Sequence, residues 1–466
     1  MDIPDVISHL QSVLGLSSVL TGDEVNVRGS GWGRQESCEA IAIVRPRTTE
    51  EVSAILNICH AVGQPVVPHG GLTGLVEGSL ARKNEIALSL ELMNQIEELD
   101  EAGMTMTAQA GVILQKVQER ADAAGLMFPL DIGSRGSAMI GGIASTNAGG
   151  NRVIQYGMAR NLILGLEVVL ANGTIISSLN RVIKNNAGYD LKHLFIGSEG
   201  TLGVITRVVL RLLPKMRSRH TALMAVSEFG LLPRLLKELG SSLGGALSAF
   251  EMMEENFYRL VTSPPARNGT PLSQNYPYYV LVEMLGADQD VDEERFESAL
   301  MKAVEAGLVT DCVIAKSREE RETLWAIRDD VDQLLRYRPM FNFDISLPIR
   351  DMESYIAEVK RRLWDSWPNQ HCFIFGHLGD GNLHLVVSVG SGEAQARCRV
   401  EEIIYGGLRH RSGSIAAEHG IGLEKRAYLS WCRSEQEIQL MRALKQAIDP
   451  TGILNPGKIL YESGQS

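Results

Sequence analysis

Ile3, Val6, Ile7, Leu10, Val13 and Leu14 recur at helical spacing, so the chain opens with a short amphipathic helix. A polar passage with Gly29, Gly31 and Gly33 follows, and then Ala40 to Val44 reads as a strand. Thr48 and Glu51 predict a capping box ahead of a helix that carries Val52, Ile55, Leu56 and Cys59 on one face. A buried strand, Pro65 to Val67, runs directly into a glycine-rich loop. Leu162 to Leu170, the Asn172-Gly173 turn and Thr174 to Ser178 predict a hairpin. Val204 to Leu213 alternates as a strand does, and Pro214 marks a domain boundary.

Beyond residue 215 the texture changes. Strands at Thr221–Val226 and Tyr278–Met284 alternate with helices near Leu231–Leu239 and Val291–Ala306, as in α+β modules. Ser317 to Leu335 predicts one charged helix containing Trp325 and Arg328, and a helix is expected near Met352–Leu363. Between the apolar runs His371–Phe375 and Leu385–Val389 the sequence Gly376-His-Leu-Gly-Asp-Gly-Asn-Leu-His384 predicts a tight hairpin, because Asp-Gly supplies the positive φ such a turn needs.

A final helix is expected over Glu435–Ile448. The turn, centred on Asp380 and Gly381, would set His377 and His384 directly opposite each other, with Cβ atoms roughly 4.5–5.5 Å apart.

Composition narrows the class. The chain has 466 residues, 44% of them apolar, enough for two domains with substantial cores. A net charge of −11 with no long basic run disfavours nucleic acid and anionic membrane surfaces as partners. Six cysteines without C-x-x-C spacing suit reduced thiols, and the acidic start, interrupted by Pro4, lacks the form of a signal peptide. No apolar run reaches about 18 residues, so no membrane-spanning segment is expected. These features predict a cytoplasmic protein.

Three stretches carry candidate chemistry. Pro68-His-Gly-Gly-Leu-Thr-Gly-Leu75 follows a strand, and its backbone N–H groups could converge on an anion such as a pyrophosphate. A plain turn would read the same, since neither a dinucleotide fingerprint nor a phosphate-loop motif is present. On the anion reading, a Cβ at Gly71 would fill space the phosphates need. Gly133, Gly136, Gly141, Gly142, Gly149 and Gly150 form a long run of small residues. Glycine is costly to order and fills no volume, so this run suits a large flat ligand lying against the backbone. Lastly, His377, His384 and the Glu418-His419 pair supply two imidazoles and a carboxylate, the donors of a catalytic zinc or related divalent site. Two surface histidines on a glycine turn remain the plainer alternative.

Pro68–Leu75, Gly141–Gly150, Gly197–Thr206, Gly376–Leu385, Ala417–Gly420 and Asn455–Lys458, in this order, resemble the flavoproteins related to vanillyl-alcohol oxidase and p-cresol methylhydroxylase. Within them the chain is most similar to the D-2-hydroxy-acid dehydrogenase branch, which includes D-lactate and D-2-hydroxyglutarate dehydrogenases. The resemblance implies an α+β fold: a two-part FAD-binding domain over 1–214, a cap domain over 215–415, and a C-terminal segment, 416–466, that returns to the flavin domain. It implies that Pro68, His69, Gly70, Gly71, Leu72, Thr73, Gly74 and Leu75 cradle the FAD pyrophosphate. Pro129, Leu130, Gly133, Ser134, Gly141, Gly142, Ser145, Asn147, Gly149, Glu199, Ile205 and Asn455 would surround the rest. Some relatives bind FAD covalently through a histidine just after the first Gly-Gly. Here that position is Leu72, so non-covalent FAD is expected.

The same resemblance makes His377, His384 and Glu418 ligands of a divalent metal, zinc above others, and His419 the general base. Arg328 would grip the substrate carboxylate, a task suited to the guanidinium fork. Three departures bear on substrate. Asp332, Asn342 and Val386 stand where 2-hydroxyglutarate enzymes carry a hydroxyl residue, a lysine and an asparagine. A substrate with one carboxylate, such as D-lactate or a longer apolar D-2-hydroxy acid, is therefore expected. D-2-hydroxyglutarate dehydrogenation, a hydroxy-acid oxidase and a glycolate-oxidase-type subunit are the alternatives. Electrons would pass to an electron-transfer flavoprotein, a quinone or a similar acceptor, and a homodimer is compatible with the reading.

Overall fold

The computed structural model describes residues 3–31 and 36–461, with side chains in the first helix described from Asp5. Gly33 and the side chain of Ile3, both used above, lie outside the described residues. The chain divides into two compact units. The first comprises Met1–Gly149, Gly157–Lys215 and Glu418–Ser466, and the second comprises Gly150–Tyr156 and Met216–Ala417. The seven-residue excursion Gly150–Tyr156 into the second unit carries no signal in the sequence.

The first unit is built on two sheets. In one, β1 (Val19–Thr21), β2 (Ala42–Val44), β4 (Ile86–Ser89) and β3 (Val66–His69) lie in that order, with β2, β4 and β3 parallel. The helix Thr49–Val62 connects β2 to β3, burying Val52, Ile55, Leu56 and Cys59. Thr48 caps it by accepting the Glu51 N–H at 3.2 Å. The Glu51 carboxylate takes the Arg47 N–H at 2.6 Å, so the predicted capping box is only half formed. The other sheet is antiparallel, in the order β5 (Ile96–Asp100), β6 (Thr105–Gln109), β10 (Val204–Arg211), β8 (Ile163–Val169), β9 (Ile175–Ser178). β8 and β9 form the expected hairpin, with Gly173 at φ 82°. A short ribbon pairs β7 (Leu126–Met127) with β11 (Leu213–Pro214).

The C-terminal segment closes this unit. Val66 N–H donates to Ile453 O, and Asn455 N–H donates to Val66 O, both at 2.8 Å. Ile453 and Leu454 are buried in the same core as β2, β3 and β4.

The second unit is a seven-stranded antiparallel sheet with helices packed on it. Its order is β15 (Asp311–Ile314), β12 (Ser218–Val226), β14 (Tyr278–Gly286), β13 (Leu247–Glu254), β17 (His371–Gly376), β18 (Asn382–Ser388), β16 (Phe341–Ser346). β13 is buried along its whole length and β14 nearly so. Glu251, Glu254 and Glu283 on these strands are therefore deep acids that must be paired to be tolerated. The single helix expected over Ser317–Leu335 is instead an α-helix, Arg318–Asp329, followed by a 3₁₀ segment, Val331–Tyr337. Among the described residues no helix is long and apolar enough to cross a membrane. All six cysteines are free thiols.

Candidate active site

In the first unit the glycine-rich stretches meet backbone to backbone. A Cβ on Gly71 would stand 2.0 Å from Ser137 O, and one on Gly70 would stand 3.6 Å from the Gly142 Cα. Gly71 is thus required by contact with the neighbouring loop, a different cause from the phosphate clearance expected of it. The run of small residues is likewise not all ligand surface. Ile140–Thr146 is a helix, and a Cβ on Gly141 would stand 2.6 Å from the Ala110 Cβ. Glycine there lets the helix approach the end of β6 closely. Gly74, Gly133 and Gly142, by contrast, have nothing within 4 Å of an added Cβ, which leaves open room beside the loops.

The third loop joins them. Gly197 N–H donates to Ala144 O at 3.1 Å, Glu199 N–H donates to Ser145 O at 2.8 Å, and Gly200 lies against Pro68. Ser134 O ties its own turn together by accepting the N–H groups of Ser137 and Ala138. Asn147 adopts φ 51° and accepts the Arg160 N–H at 3.0 Å. Pro129, Leu130 and Ile205 are buried, the last two as members of the core. Leu72 is held at φ 55°, a region that leucine rarely occupies. Thr73 and Leu75 are partly exposed.

Glu199 and Asn455 have duties inside the protein. The Glu199 carboxylate accepts Ile421 N–H at 2.7 Å and Gly422 N–H at 2.8 Å, clamping the returning segment. Burial raises its pKa, against the lowering effect of those two bonds and of Lys425. Asn455 Nδ2 donates to Glu199 O and Gly78 O at 2.7 and 3.0 Å. Its Oδ1, like His69 Nε2, is buried without a protein partner. Burial lowers the His69 pKa to about 4, so the imidazole is neutral near pH 7. Two orphaned polar atoms and open space over three glycines fit a large polar ligand, as FAD is. Within this unit Glu418 lies over Gly149, where a Cβ would stand 2.9 Å from its Oε1. His419 follows it, and then Gly420 at φ 84°.

In the second unit the hairpin pairing is displaced by two residues from the expected one. Phe375, not His377, pairs with His384, and Asn382 N–H closes the turn on His377 O at 3.2 Å. The loop holds Leu378 to Gly381, with a 3₁₀ turn over Leu378–Asp380 and Gly381 at φ 88°. A four-residue loop replaces the two-residue Asp-Gly turn because the chain spends Leu378 on the core, where it is fully buried. The two histidines still meet, with ring centroids 5.2 Å apart and planes at 83°.

Each of these histidines turns Nδ1 toward a buried carboxylate. His377 Nδ1 lies 2.7 Å from Glu251 Oε1, and His384 Nδ1 lies 3.8 Å from Asp344 Oδ1. Arg328, expected to grip the substrate carboxylate, donates from Nε to the other oxygen of Glu251 at 2.9 Å. Its Cζ also sits 5.2 Å from the centre of the Phe375 ring. Burial pushes the Glu251 pKa up, but the charges of His377 and Arg328 and their hydrogen bonds outweigh it, holding the carboxyl at about 2. Asp344 accepts from Asn382 Nδ2 at 2.9 Å and from Ala417 N–H at 3.1 Å. That last bond anchors the chain one residue before Glu418.

Asp332 and Asn342 are exposed, while Val386 is buried in an apolar cluster with Phe373 and Phe375. Sequence reasoning missed Glu251 and passed over Asp344 as a functional group. The available signal was an acid set directly between large apolar residues, Phe250-Glu-Met252 and Phe343-Asp-Ile345.

The chain is similar to known proteins along nearly its whole length. Residues 40–178 match a family described as FAD binding domain, and residues 215–459 match one described as FAD linked oxidases, C-terminal domain. The chain is 37% identical over 465 residues to the mitochondrial D-2-hydroxyglutarate dehydrogenase of Arabidopsis thaliana, covering 99% of this chain and 82% of that protein. It is also 37% identical to a D-2-hydroxyglutarate dehydrogenase of Xanthomonas citri pv. viticola, covering 98% and 97% of the two chains. A Schizosaccharomyces pombe protein whose name assigns it provisionally to D-lactate dehydrogenase is 38% identical over 428 residues, with 89% and 81% covered. Among solved structures, p-cresol methylhydroxylase with substrate bound superimposes with a TM-score of 0.77 at 15% identity, over 99% of this chain and 98% of that one. Alkyldihydroxyacetonephosphate synthase gives 0.76 at 16% identity, over 98% and 86%.

Proposed function

The chain belongs to the FAD-linked oxidases, and from that premise we propose that it oxidises a D-2-hydroxy acid to the 2-oxo acid. Such an oxidoreductase acts on a CH–OH donor: R-CH(OH)-COO⁻ loses its hydroxyl proton and gives up the α-hydrogen as hydride. When bound, FAD supplies the hydride acceptor, and a divalent ion, zinc first among candidates, supplies a Lewis acid for the hydroxyl oxygen.

The chain's own residues do the rest. His377 and His384 present Nε2 as ligands, because Nδ1 of each faces a carboxylate. Glu418 adds an oxygen donor. His419 takes the hydroxyl proton at a ring nitrogen. Arg328 holds the substrate carboxylate through its Nη groups, since Nε is committed to Glu251. Leu72 offers no nucleophile, so FAD is held without a covalent bond. The paired orientation of the two histidines is the observation that carries this reading.

A substrate with a single carboxylate remains our first choice, because positions 332, 342 and 386 offer no cation to a second one. D-2-hydroxyglutarate is the second reading, favoured by the names of relatives 37% identical to this chain. Turnover of D-lactate, longer D-2-hydroxy acids, D-2-hydroxyglutarate and the L-enantiomers with a dye acceptor decides between them. Chelation should abolish oxidation while FAD stays bound and acid-releasable. Full activity after complete metal removal would defeat the metal assignment, and a clear preference for D-2-hydroxyglutarate would defeat the single-carboxylate one. Peroxide formation in air, compared with reduction of an electron-transfer flavoprotein or a quinone, identifies the class of acceptor.

A further inference from the structure

One buried acid of the second unit belongs to neither the substrate nor the metal donors, yet touches a member of each set. Glu251 sits on β13 with 1% of its surface exposed. The strand fixes its backbone, since Glu251 pairs with Leu281 and its neighbour Met252 pairs with both Val280 and Gly376. Both carboxylate oxygens are used: Oε1 lies 2.7 Å from His377 Nδ1, and Oε2 accepts Arg328 Nε at 2.9 Å.

We infer that Glu251 is a positioning residue that sets His377 for the metal and Arg328 for the substrate carboxylate at once. This inference rests on the function proposed above. An ionised carboxylate only accepts hydrogen bonds, so the imidazole must place its N–H at Nδ1. The lone pair is then at Nε2, the atom a metal needs. Arg328 is a planar fork, and fixing Nε fixes the plane and direction of the remaining Nη pair. Because one carboxylate serves both partners, turning its plane disturbs both together. A merely structural ion pair would need only the charges, and would be indifferent to which nitrogen of His377 carried the proton.

The test uses the flavoprotein stripped of metal by a chelator and titrated with Zn²⁺ or Co²⁺. Glu251→Gln keeps the shape but replaces one acceptor oxygen with an NH₂ group. It should weaken zinc binding roughly 10–100-fold, alter the Co²⁺ ligand-field bands, and raise the KM of the hydroxy acid, with FAD content unchanged. Glu251→Asp keeps the charge but cannot reach both partners, and should fall between Gln and the wild type. Wild-type zinc affinity and wild-type KM in Glu251→Gln, even with a lowered melting temperature, would overturn the inference. Where Glu251→Gln gives no soluble flavoprotein, Glu251→Asp decides by the same two readouts. A wild-type enzyme that turns over without ever taking up Zn²⁺ or Co²⁺ would refute the metal assignment and with it the His377 half of this inference. The KM shift would then still judge the Arg328 half.

Discussion

Glu251 and Glu283 are near twins in position and opposites in company. They lie on adjacent strands of one sheet, β13 and β14, and both are essentially buried. The helix Arg318–Asp329 reaches each of them from the same side of its surface: Arg328 donates to Glu251, and Trp325 Nε1 donates to Glu283 at 3.2 Å. Around Glu283 the other partners are Arg152 Nε at 2.9 Å, Arg219 Nε at 2.5 Å and Ser248 Oγ at 3.0 Å. None of these can exchange a proton near neutral pH. Around Glu251 one partner is an imidazole with a second nitrogen to offer. A buried acid ringed by guanidinium, indole and hydroxyl groups is a clamp, whereas one that holds a histidine passes its influence onward.

The largest effect that would break this contrast comes from Glu283→Ala. Removing one side of a buried charge cluster strands Arg152 and Arg219, and should lower stability by about 3–5 kcal/mol in denaturant unfolding. Zinc affinity per folded chain should not change. A loss of zinc affinity in this variant would erase the distinction between the two acids.

Acid titration separates the clamp from the flavin loop. Burial raises the Glu283 pKa, but Arg152 and Arg219 outweigh it, so the group ionises below its ordinary 4.5. Its contribution is complete above pH 4.5 and is lost as pH falls further. His69 titrates at about 4 instead of 6.5, chiefly through burial, so its folded form resists the proton that the unfolded chain accepts. Stability of the FAD-free protein should therefore fall between pH 6.5 and 4, by on the order of 3 kcal/mol. His69→Gln should flatten that leg, and Glu283→Gln should leave it in place. An unchanged leg in His69→Gln would show that another group carries it.

Two smaller effects sharpen the contrast further. Arg328→Lys keeps a charge but loses the fork, and should raise the KM of the hydroxy acid about tenfold. Ser248→Ala removes one hydroxyl from Glu283, and should cost about 1 kcal/mol of stability without touching KM. Equal KM shifts in both variants would mean that the two acids act as one network.

Much of this architecture was legible in the sequence, because its signals are local. The β8–β9 hairpin, β10, and the helices at Leu231–Leu243 and Glu435–Ile448 follow from apolar spacing and from turns such as Asn172-Gly173. The hairpin register was not legible, since Asp380-Gly381 marks a turn without saying how many residues the loop takes. β13 was missed because a central strand buried on both faces has no alternation to show. Glu251 went with it: a single glutamate between Phe250 and Met252 forms no motif, and its partners lie 77 and 126 positions away. Arg328 stands out in the sequence, but its lock on Glu251 could be seen only once β13 was placed.

The excursion Gly150–Tyr156 has a consequence for how the molecule is made. The polypeptide passes between its two units at four points: after Gly149, Tyr156, Lys215 and Ala417. On the ribosome, Arg152 emerges long before Glu283, the acid it will bind, and must wait for about 130 further residues. The first unit waits longer still, because the N–H groups that clamp Glu199 belong to Ile421 and Gly422. The second unit has all of its residues once Ala417 is made, ahead of the first. Cutting the gene at residue 215 would therefore leave each fragment holding a segment of the other's unit, Gly150–Tyr156 in one and Glu418–Ser466 in the other, and only their co-synthesis should restore a yellow protein.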